Sequence, residues 1–335
     1  MTKKITISII SAIVVLLGIS SLVVWANKKG VTSTTQAPQK VTIAMVTFPG
    51  YAPLYLAKEK GFFGNVDVEL KRIESIGDIR ASVRTGDVQV YAATHDIYQS
   101  TGDVPPTGIG FLAIDESHGG DGVAAADSIQ YIADLRGKKV GAEPGFPPYM
   151  VLQYMLDKEG MTLADIDFQD VSTTDAGNAF AAGQLDAAGI YEPALSASVN
   201  ARPNSKVLVS SAALPGLIQD FLFADETYAK EHPEVLQQIA TGYFTALDYI
   251  NTNPDESYNI MAKAFDVSKQ DMQDFKTGIT WTTKAENKQL FDVTNSANAY
   301  ATFTLVGDIL QKNGEATVRV AATDKFTDTI INSIQ

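Results

Sequence analysis

Acidic and aromatic side chains gather at the ends of the β-strands that the sequence predicts. The carboxylates at or just after these ends are Asp96, Asp115, Asp121, Glu143, Glu192 and Asp220. The aromatic residues interleaved with them are Phe48, Tyr51, Phe146, Tyr149 and Tyr191. In open α/β sheets, small ligands bind in the crevice outside the carboxyl ends of the strands. We therefore expect many of these side chains to line one binding cleft.

The charge of these residues favours a particular class of ligand. No lysine or arginine stands at the same strand ends, and an anion usually recruits one. Carboxylates with aromatic faces suit a guanidinium or an amine, through paired hydrogen bonds and cation–π contact. Helices predicted to begin near Pro53 and Tyr149 would favour an anion with their partial positive charge. Full charges outweigh partial ones, so we expect a small nitrogenous cation or zwitterion.

A purely structural role remains the alternative for each carboxylate, because Asp and Glu often cap helices and end strands.

The histidines His95, His118 and His232 lack HxxxH or HxH spacing, although His95, Asp96 and His118 could converge in the cleft. The chain has no cysteine and no GxSxG turn. These features predict no metal site, no cofactor and no catalytic residue.

Two strand–turn–helix units must position the cleft residues. The stretch 41–46 predicts a buried strand, Gly50 marks a turn, and Pro53 opens a helix that ends near Lys60. The strand at 139–142, followed by Phe146 and two prolines, repeats this order. We expect both units to direct a helix N-terminus towards the cleft.

Five motifs, in this order and spacing, resemble one family. They are VTIAMVTFPGYAPLYLAKEKGFF (41–63), GGDG (119–122), DLRGKKVGAEPG (134–145), AAGQLDAAGIYEP (181–193) and SSAALPGLIQD (210–220). They resemble the solute-binding proteins of ABC importers in the nitrate/sulfonate/taurine group (NitT/TauT, SsuA/THI5-like), over roughly residues 41–291. The resemblance implies the α/β type II periplasmic-binding-protein fold, in which two lobes enclose a ligand cleft, and transport without chemistry.

The resemblance also implies an organisation and partners. Residues 41–122 and 221–335 would form lobe 1, and residues 123–220 would form lobe 2, with a glycine-rich crossover between them. The expected partners are a small-molecule ligand and an ABC permease in the membrane, and the chain is expected to be a monomer. The predicted ligand-binding residues are Phe48, Gly50, Tyr51, His95, Asp96, Asp115, Asp121, Phe146, Tyr191, Glu192 and Asp220. Sulfonate, taurine or nitrate binding, and binding or enzymatic synthesis of a pyrimidine precursor, are the alternatives.

The N-terminus and the overall charge indicate the compartment. Residues 5–26 are uncharged and mostly apolar, which predicts either a membrane anchor or a cleaved signal peptide within residues 1–29. Residues 30–40 are polar and predict a flexible linker. Both alternatives place the remaining chain outside the cytoplasm. A formal net charge of -13 argues against nucleic-acid binding, which needs clustered basic residues.

Overall fold

The computed structural model describes residues 38–100, 107–315, 318 and 320–334. The predicted anchor or signal peptide and most of the predicted linker lie outside these residues. The first strand begins at Gln39, so the last two residues assigned to the linker belong to a sheet. No helix in the described part of the chain is both long enough and apolar enough to cross a bilayer.

The strands form two separate mixed sheets. The first sheet contains β1 (Gln39–Met45), β2 (Val66–Arg72), β3 (Val90–Thr94), β4 (Ile109–Ser117), β10 (Gln219–Ala224) and β11 (Ile279–Trp281), in the order β11-β4-β10-β3-β1-β2. The second contains β5 (Asp121–Ala125), β6 (Lys139–Ala142), β7 (Asp167–Asp170), β8 (Ala187–Tyr191) and β9 (Lys206–Ser210), in the order β7-β6-β8-β5-β9. In each sheet, strands next to the parallel core pair antiparallel with it: β10 with β3, and β5 with β8.

Helices cover the sheets and begin where the sequence supplies a cap or a proline. They are α1 (Ala52–Glu59), α2 (Ile76–Thr85), α3 (His95–Gln99), α4 (Pro147–Lys158), α5 (Thr173–Ala181), α6 (Ala194–Ala201), α7 (Glu226–Glu231), α8 (Pro233–Thr252), α9 (Pro254–Phe265), α10 (Lys269–Phe275), α11 (Lys284–Leu290), α12 (Ala299–Lys312) and α13 (Thr329–Ser333). The Ser75 hydroxyl accepts from the Asp78 amide at the start of α2, and Gly86 ends that helix with φ +79°.

The chain passes from the first sheet to the second after β4 and returns before β10. These two connections are hydrogen-bonded to each other. The Ser117 amide donates to the Ile218 carbonyl (2.9 Å), and the Gly119 amide donates to Ser211 Oγ (2.7 Å). Gly278, just before β11, packs against the first connection. A Cβ on Gly278 would lie 2.8 Å from the Gly119 carbonyl carbon, so only glycine fits at position 278. The paired connections are therefore the joint about which the sheets could move.

Helix α12 packs against the cores of both sheets. Phe303 belongs to the core of the first sheet, whereas Val306 and Leu310 belong to that of the second. The sequence predicts one helix over 287–311 that would cover the first lobe, and the prediction of a single helix is wrong. Helix α11 ends at Leu290, and α12 starts anew where the Asn298 side chain accepts from the Ala301 amide (2.7 Å).

Substitution of Leu310 tests the attachment of α12 to the second core. Leu310→Ala removes a fully buried side chain and should lower the free energy of unfolding by about 2–5 kcal/mol. Leu305 on the same helix is 52% exposed, so Leu305→Ala should cost about 0.5 kcal/mol or less. Urea unfolding of both variants gives the comparison, and equal costs would contradict the packing described.

Candidate ligand-binding site

A cavity lies where the connections join the two sheets. It has an empty volume of about 260 Å³. Both sheets contribute to its wall. The lining residues are Val46, Phe48, Tyr51, Thr94, Ile97, Asp121, Phe146, Pro147, Tyr191 and Asp220. The cavity thus combines aromatic rings with two carboxylates.

The aromatic wall is a continuous row of rings. The Phe48 ring centroid lies 5.6 Å from that of Tyr51 and 6.1 Å from that of Tyr191, both edge-on. The Phe146 ring lies 6.2 Å from Tyr191 and within 23° of parallel to it. Phe48 and Tyr51 come from the first strand–turn–helix unit, and Phe146 comes from the second. Tyr149 instead packs against Phe168 in the core of the second sheet.

The turn after β1 brings a backbone against a buried carboxylate. Pro49–Tyr51 form a 3-10 helix that continues into α1. A Cβ on Gly50 would lie 2.1 Å from Asp115 Oδ2 and 2.7 Å from the Phe48 ring. Only glycine fits between them, so Gly50 acts by admitting the Asp115 carboxylate rather than by presenting a side chain.

Asp115 and Asp220 form a buried pair of carboxylates. They are directly opposite each other in the antiparallel pairing of β4 with β10, and their exposed fractions are 0% and 2%. Burial, and then the charge of Asp220, raise the pKa of Asp115 well above its usual value. Burial raises the pKa of Asp220 to about 7, although Tyr51 donates to Asp220 Oδ1 (2.5 Å) and opposes this rise. Two carboxylates this close cannot both ionise at low cost.

Asp121 and Asp96 add further buried acids. Asp121, the first residue of β5, pairs with Tyr191 and lines the cavity. Burial raises the pKa of Asp121, and the charge of Asp220 adds to this, while Ser117 opposes it. Asp96 lies in the first turn of α3, and burial raises the pKa of Asp96 to about 7. All four aspartates are thus held in a medium that disfavours their charge.

Two predicted site residues lie away from the cavity wall. His95 is fully buried among the rings of Phe221, Phe303 and Phe326, and burial lowers the pKa of His95 to about 3, so its imidazole is neutral. Glu192 accepts from the Ser196 amide (3.1 Å) and hydroxyl (2.6 Å) at the start of α6. Glu192 therefore stabilises the first turn of α6, and its part in binding a ligand stays a prediction.

The predicted residues thus divide into groups. Those that line the cavity are Phe48, Tyr51, Asp121, Phe146, Tyr191 and Asp220. Gly50 and Asp115 stand behind this wall, and Asp96 lies at the start of α3. Their part in binding a ligand stays a prediction. Sequence reasoning missed the lining residues Val46, Thr94, Ile97 and Pro147. Thr94 is next to the predicted site residue His95, and Pro147 is next to Phe146, so their positions in the sequence could have indicated them.

Among the residues that the structure describes, no lysine or arginine lines the cavity. Among the described residues, Lys276 is a cation that interacts with Asp115, and it does not line the cavity. Its ammonium donates to the Ile279 carbonyl (2.9 Å) and lies 5.1 Å from the Trp281 ring centre. Across residues 38–100 and 107–315, no three His, Asp or Glu side chains are grouped so as to hold a metal ion.

Comparison with known proteins agrees with this arrangement. The family model described as NMT1/THI5 like matches residues 48–257. The chain belongs to the NMT1/THI5-like family. A binding protein of Brucella abortus is 30% identical over 167 residues, which are 48% of this chain and 51% of that protein. The chain thus spans about half the length of the curated Brucella relatives that it matches.

Solved structures confirm the two-lobe α/β fold for this NMT1/THI5-like chain. The periplasmic aliphatic sulphonate binding protein SsuA of Escherichia coli superposes with a TM-score of 0.70 at 17% identity, over 88% of this chain and 100% of that one. The desulfurization enzyme DSZB superposes with a TM-score of 0.61 at 15% identity, over 87% and 98% of the two chains. The fold is therefore shared by binding proteins and by an enzyme.

Asp96 predicts a dependence of stability on pH. In the unfolded chain its carboxyl ionises near pH 4, whereas in the folded protein its pKa is about 7. Between these values the unfolded state alone loses the proton, so rising pH destabilises the wild type. Asp96→Asn cannot ionise, so its stability relative to wild type should increase from pH 4 to pH 7.5, by up to about 4 kcal/mol. Urea unfolding at both pH values measures this, and Asp248→Asn on the exposed face of α8 is the control. Parallel stability curves for wild type and Asp96→Asn would contradict the assignment.

Gly50 gives a second prediction. Gly50→Ala should destabilise the protein by about 1–3 kcal/mol, because the new Cβ must displace the Asp115 carboxylate or the Phe48 ring. Gly77 is exposed within α2, and a Cβ there meets nothing closer than 3.5 Å. Gly77→Ala should be neutral or stabilising by up to about 1 kcal/mol. Thermal unfolding of both variants measures the difference, and a harmless Gly50→Ala would show that the close approach is not needed.

Proposed function

We propose that this protein is the extracytoplasmic solute-binding component of an ABC importer. It captures a small ligand in the cavity between its lobes, acts as a monomer, and delivers the ligand to a membrane permease without chemical change. Membership of the NMT1/THI5-like family and the likeness of its fold to SsuA support this proposal. The two bodies that would close correspond to the predicted lobes, 41–122 with 221–335 and 123–220, with each boundary moved by two residues. Strand β5 of the second sheet begins at Asp121, and β10 of the first sheet begins at Gln219.

The size of the cavity restricts what fits in it. Its volume of about 260 Å³ lies below the roughly 300–1,000 Å³ of most drug-sized ligand pockets, so it suits a small ligand. A larger ligand needs the lobes to open about the paired connections near Ser117 and Ser211. Entry by hinge opening and retention by closure is the motion that two-lobe binding proteins use.

The charges on the wall favour a cation, and this observation carries the proposal for the ligand class. Asp121 belongs to one sheet and Asp220 to the other, and both line the same cavity. In the described part of the chain, no basic side chain lines it. A cation between them would offset both charges and would also draw the two lobes together. The rings of Phe146 and Tyr191 can add cation–π contact. A guanidinium, an amidinium or a primary amine, free or within a zwitterion, meets these conditions.

Anion binding is the second candidate, and one observation favours it. Burial raises the pKa of Asp121 and Asp220, and a protonated carboxyl can donate a hydrogen bond to a sulfonate or nitrate oxygen. Helices α1 and α4 also begin near the cavity, where Tyr51 and Pro147 line it. Sulfonate, taurine, nitrate and pyrimidine precursors therefore belong in the same test.

An enzymatic role on this fold is the remaining alternative. The fold of DSZB shows that the architecture can host catalysis. This chain has no cysteine. His95 is not among the residues that line the cavity, and burial lowers its pKa and keeps its imidazole neutral. These features support binding rather than catalysis. Product formed from a bound candidate, and lost in His95→Ala or Glu192→Gln, would instead support an enzyme.

Thermal shift with matched variants tests the ligand class. The full chain is heated with millimolar guanidinium, methylamine, taurine, methanesulfonate, nitrate or a pyrimidine, at constant ionic strength. A cation at about 100 times its Kd should add about 2.7 kcal/mol of stability and raise Tm by several degrees. Asp121→Asn and Asp220→Asn should lose this shift, and Asp248→Asn should keep it.

The other outcomes separate the candidates. A shift with methanesulfonate or nitrate alone would replace the cation by an anion while leaving the binding function intact. A shift that survives in both Asp121→Asn and Asp220→Asn would place the ligand outside this cavity. The absence of a shift with every probe class would count against the binding function itself.

A further inference from the structure

We propose that the cation replaces a proton held between Asp115 and Asp220, so that binding releases this proton and weakens as the solution becomes more acidic. This inference rests on the proposed cationic ligand and adds a regulation of the same site. It follows from how the pair is built and from which charged groups surround it.

The geometry allows the pair to share one proton. Asp115 and Asp220 face each other across β4 and β10, both almost fully buried. Neither oxygen of Asp115 has a hydrogen-bond donor among the described residues. A proton on Asp115 can be donated to Asp220, which raises the pKa of Asp115 and lowers that of Asp220. Asp220 also accepts from the Tyr51 hydroxyl at 2.5 Å, so the proton is best placed on Asp115.

The groups that face the pair leave it short of positive charge. The titratable groups on the surrounding elements are Tyr51, Asp96, Glu116, Asp121, Tyr243 and Lys276. The tyrosines are neutral because burial raises their pKa values, and the carboxylates can only add negative charge. Lys276 is the single cation in this set, and its ammonium is already bound to the Ile279 carbonyl. A shared proton therefore keeps the empty pair from holding two buried charges.

A cation in the cavity removes the need for this proton. Asp220 lines the cavity and Asp115 stands behind it, so a cation beside Asp220 stabilises the doubly ionised pair. The exchange is electroneutral: the O–H bond of Asp115 breaks, the proton passes to solvent, and the ligand charge takes its place. Asp121 adds attraction from the other sheet without belonging to the pair.

The exchange occurs next to the joint between the sheets. Asp220 is the second residue of β10, just after the chain returns to the first sheet, and Asp121 is the first residue of β5 after it leaves. A bound cation would therefore attract the carboxylates beside both connections and hold the connections together. Protonation of the Asp115–Asp220 pair would remove this attraction. Mild acid should favour release of the ligand and separation of the lobes.

Calorimetry of the full chain counts the proton directly. Guanidinium is titrated near pH 7 in phosphate and in Tris, whose ionisation enthalpies differ, and the difference in binding heat gives the protons released. We expect about half to one proton per ligand, and an affinity that falls up to about tenfold for each pH unit below the pKa of the pair. Asp115→Asn should reduce the release and flatten the pH profile, and Asp248→Asn should leave both as in the wild type.

Each outcome decides one statement. Guanidinium binding with no buffer-dependent heat and a constant Kd from pH 5.5 to 8.5 overturns the exchange and leaves the binding function standing. Proton release that is as large in folded Asp115→Asn as in the wild type overturns the assignment to this pair. The wild-type buffer comparison needs no variant, so it decides even if Asp115→Asn does not fold. Failure of guanidinium and methylamine to bind at all removes the cationic ligand on which the exchange rests.

Discussion

The burial of several carboxylates without a matching cation constrains this protein more than any other feature. Burying an ionised carboxylate costs several kcal/mol unless it is paired or hydrogen-bonded. Asp96, Asp115, Asp121 and Asp220 are each no more than 2% exposed, and burial is the first cause of the raised pKa of each. A fold that retains such groups at its joint must compensate them by protons, by a ligand, or by opening to water. The cavity beside them offers the second and third of these routes.

The two sheets bring these acids together through their antiparallel strands. β10 places Asp220 opposite both Thr94 and Asp115, and β5 places Asp121 opposite Tyr191. β5 is also the strand that follows the first connection between the sheets, and β10 is the strand that follows the second. The charge on the site and the relative position of the lobes are therefore linked through the same few residues, without a long pathway between them.

Local sequence signals predicted the elements far better than they predicted the site. The strand, turn and helix around Gly50, and those around Phe146, follow from apolar runs, glycine and proline, and these units stand within one or two residues of the expectation. Elsewhere a local signal misled: Ser128 as a candidate cap predicts a helix over 128–135, and the structure has only a 3-10 turn from Ile132 to Leu135. The Asp134 carboxylate accepts from the amides of Gln130 and Tyr131 and holds a turn there.

The choice among carboxylates at strand ends could not be made from the sequence. Asp121 and Glu192 have similar local settings, yet Asp121 lines the cavity and Glu192 caps α6. The difference depends on strand order and register, which join residues such as Asp115 and Asp220 that are far apart in the chain. The position of Gly50 against Asp115 has the same origin: glycine predicted a turn, but only the tertiary structure shows which group needs the space.

Helix α12 connects the elements that line the cavity to the core of the second sheet. Thr94 and Ile97 of the β3–α3 unit line the cavity, and at the end of α3 the Gln99 side chain donates to the Phe303 carbonyl within α12 (2.9 Å). A Cβ on Gly307 would lie 2.6 Å from Gln99 Oε1, so α12 fits tightly over this side chain. Because the next turns of α12 are buried in the core of the second sheet, a displacement of α3 by a ligand must either shift α12 or break its contact with one core. The helix that spans both cores therefore adds to the stiffness against which a ligand must close the lobes.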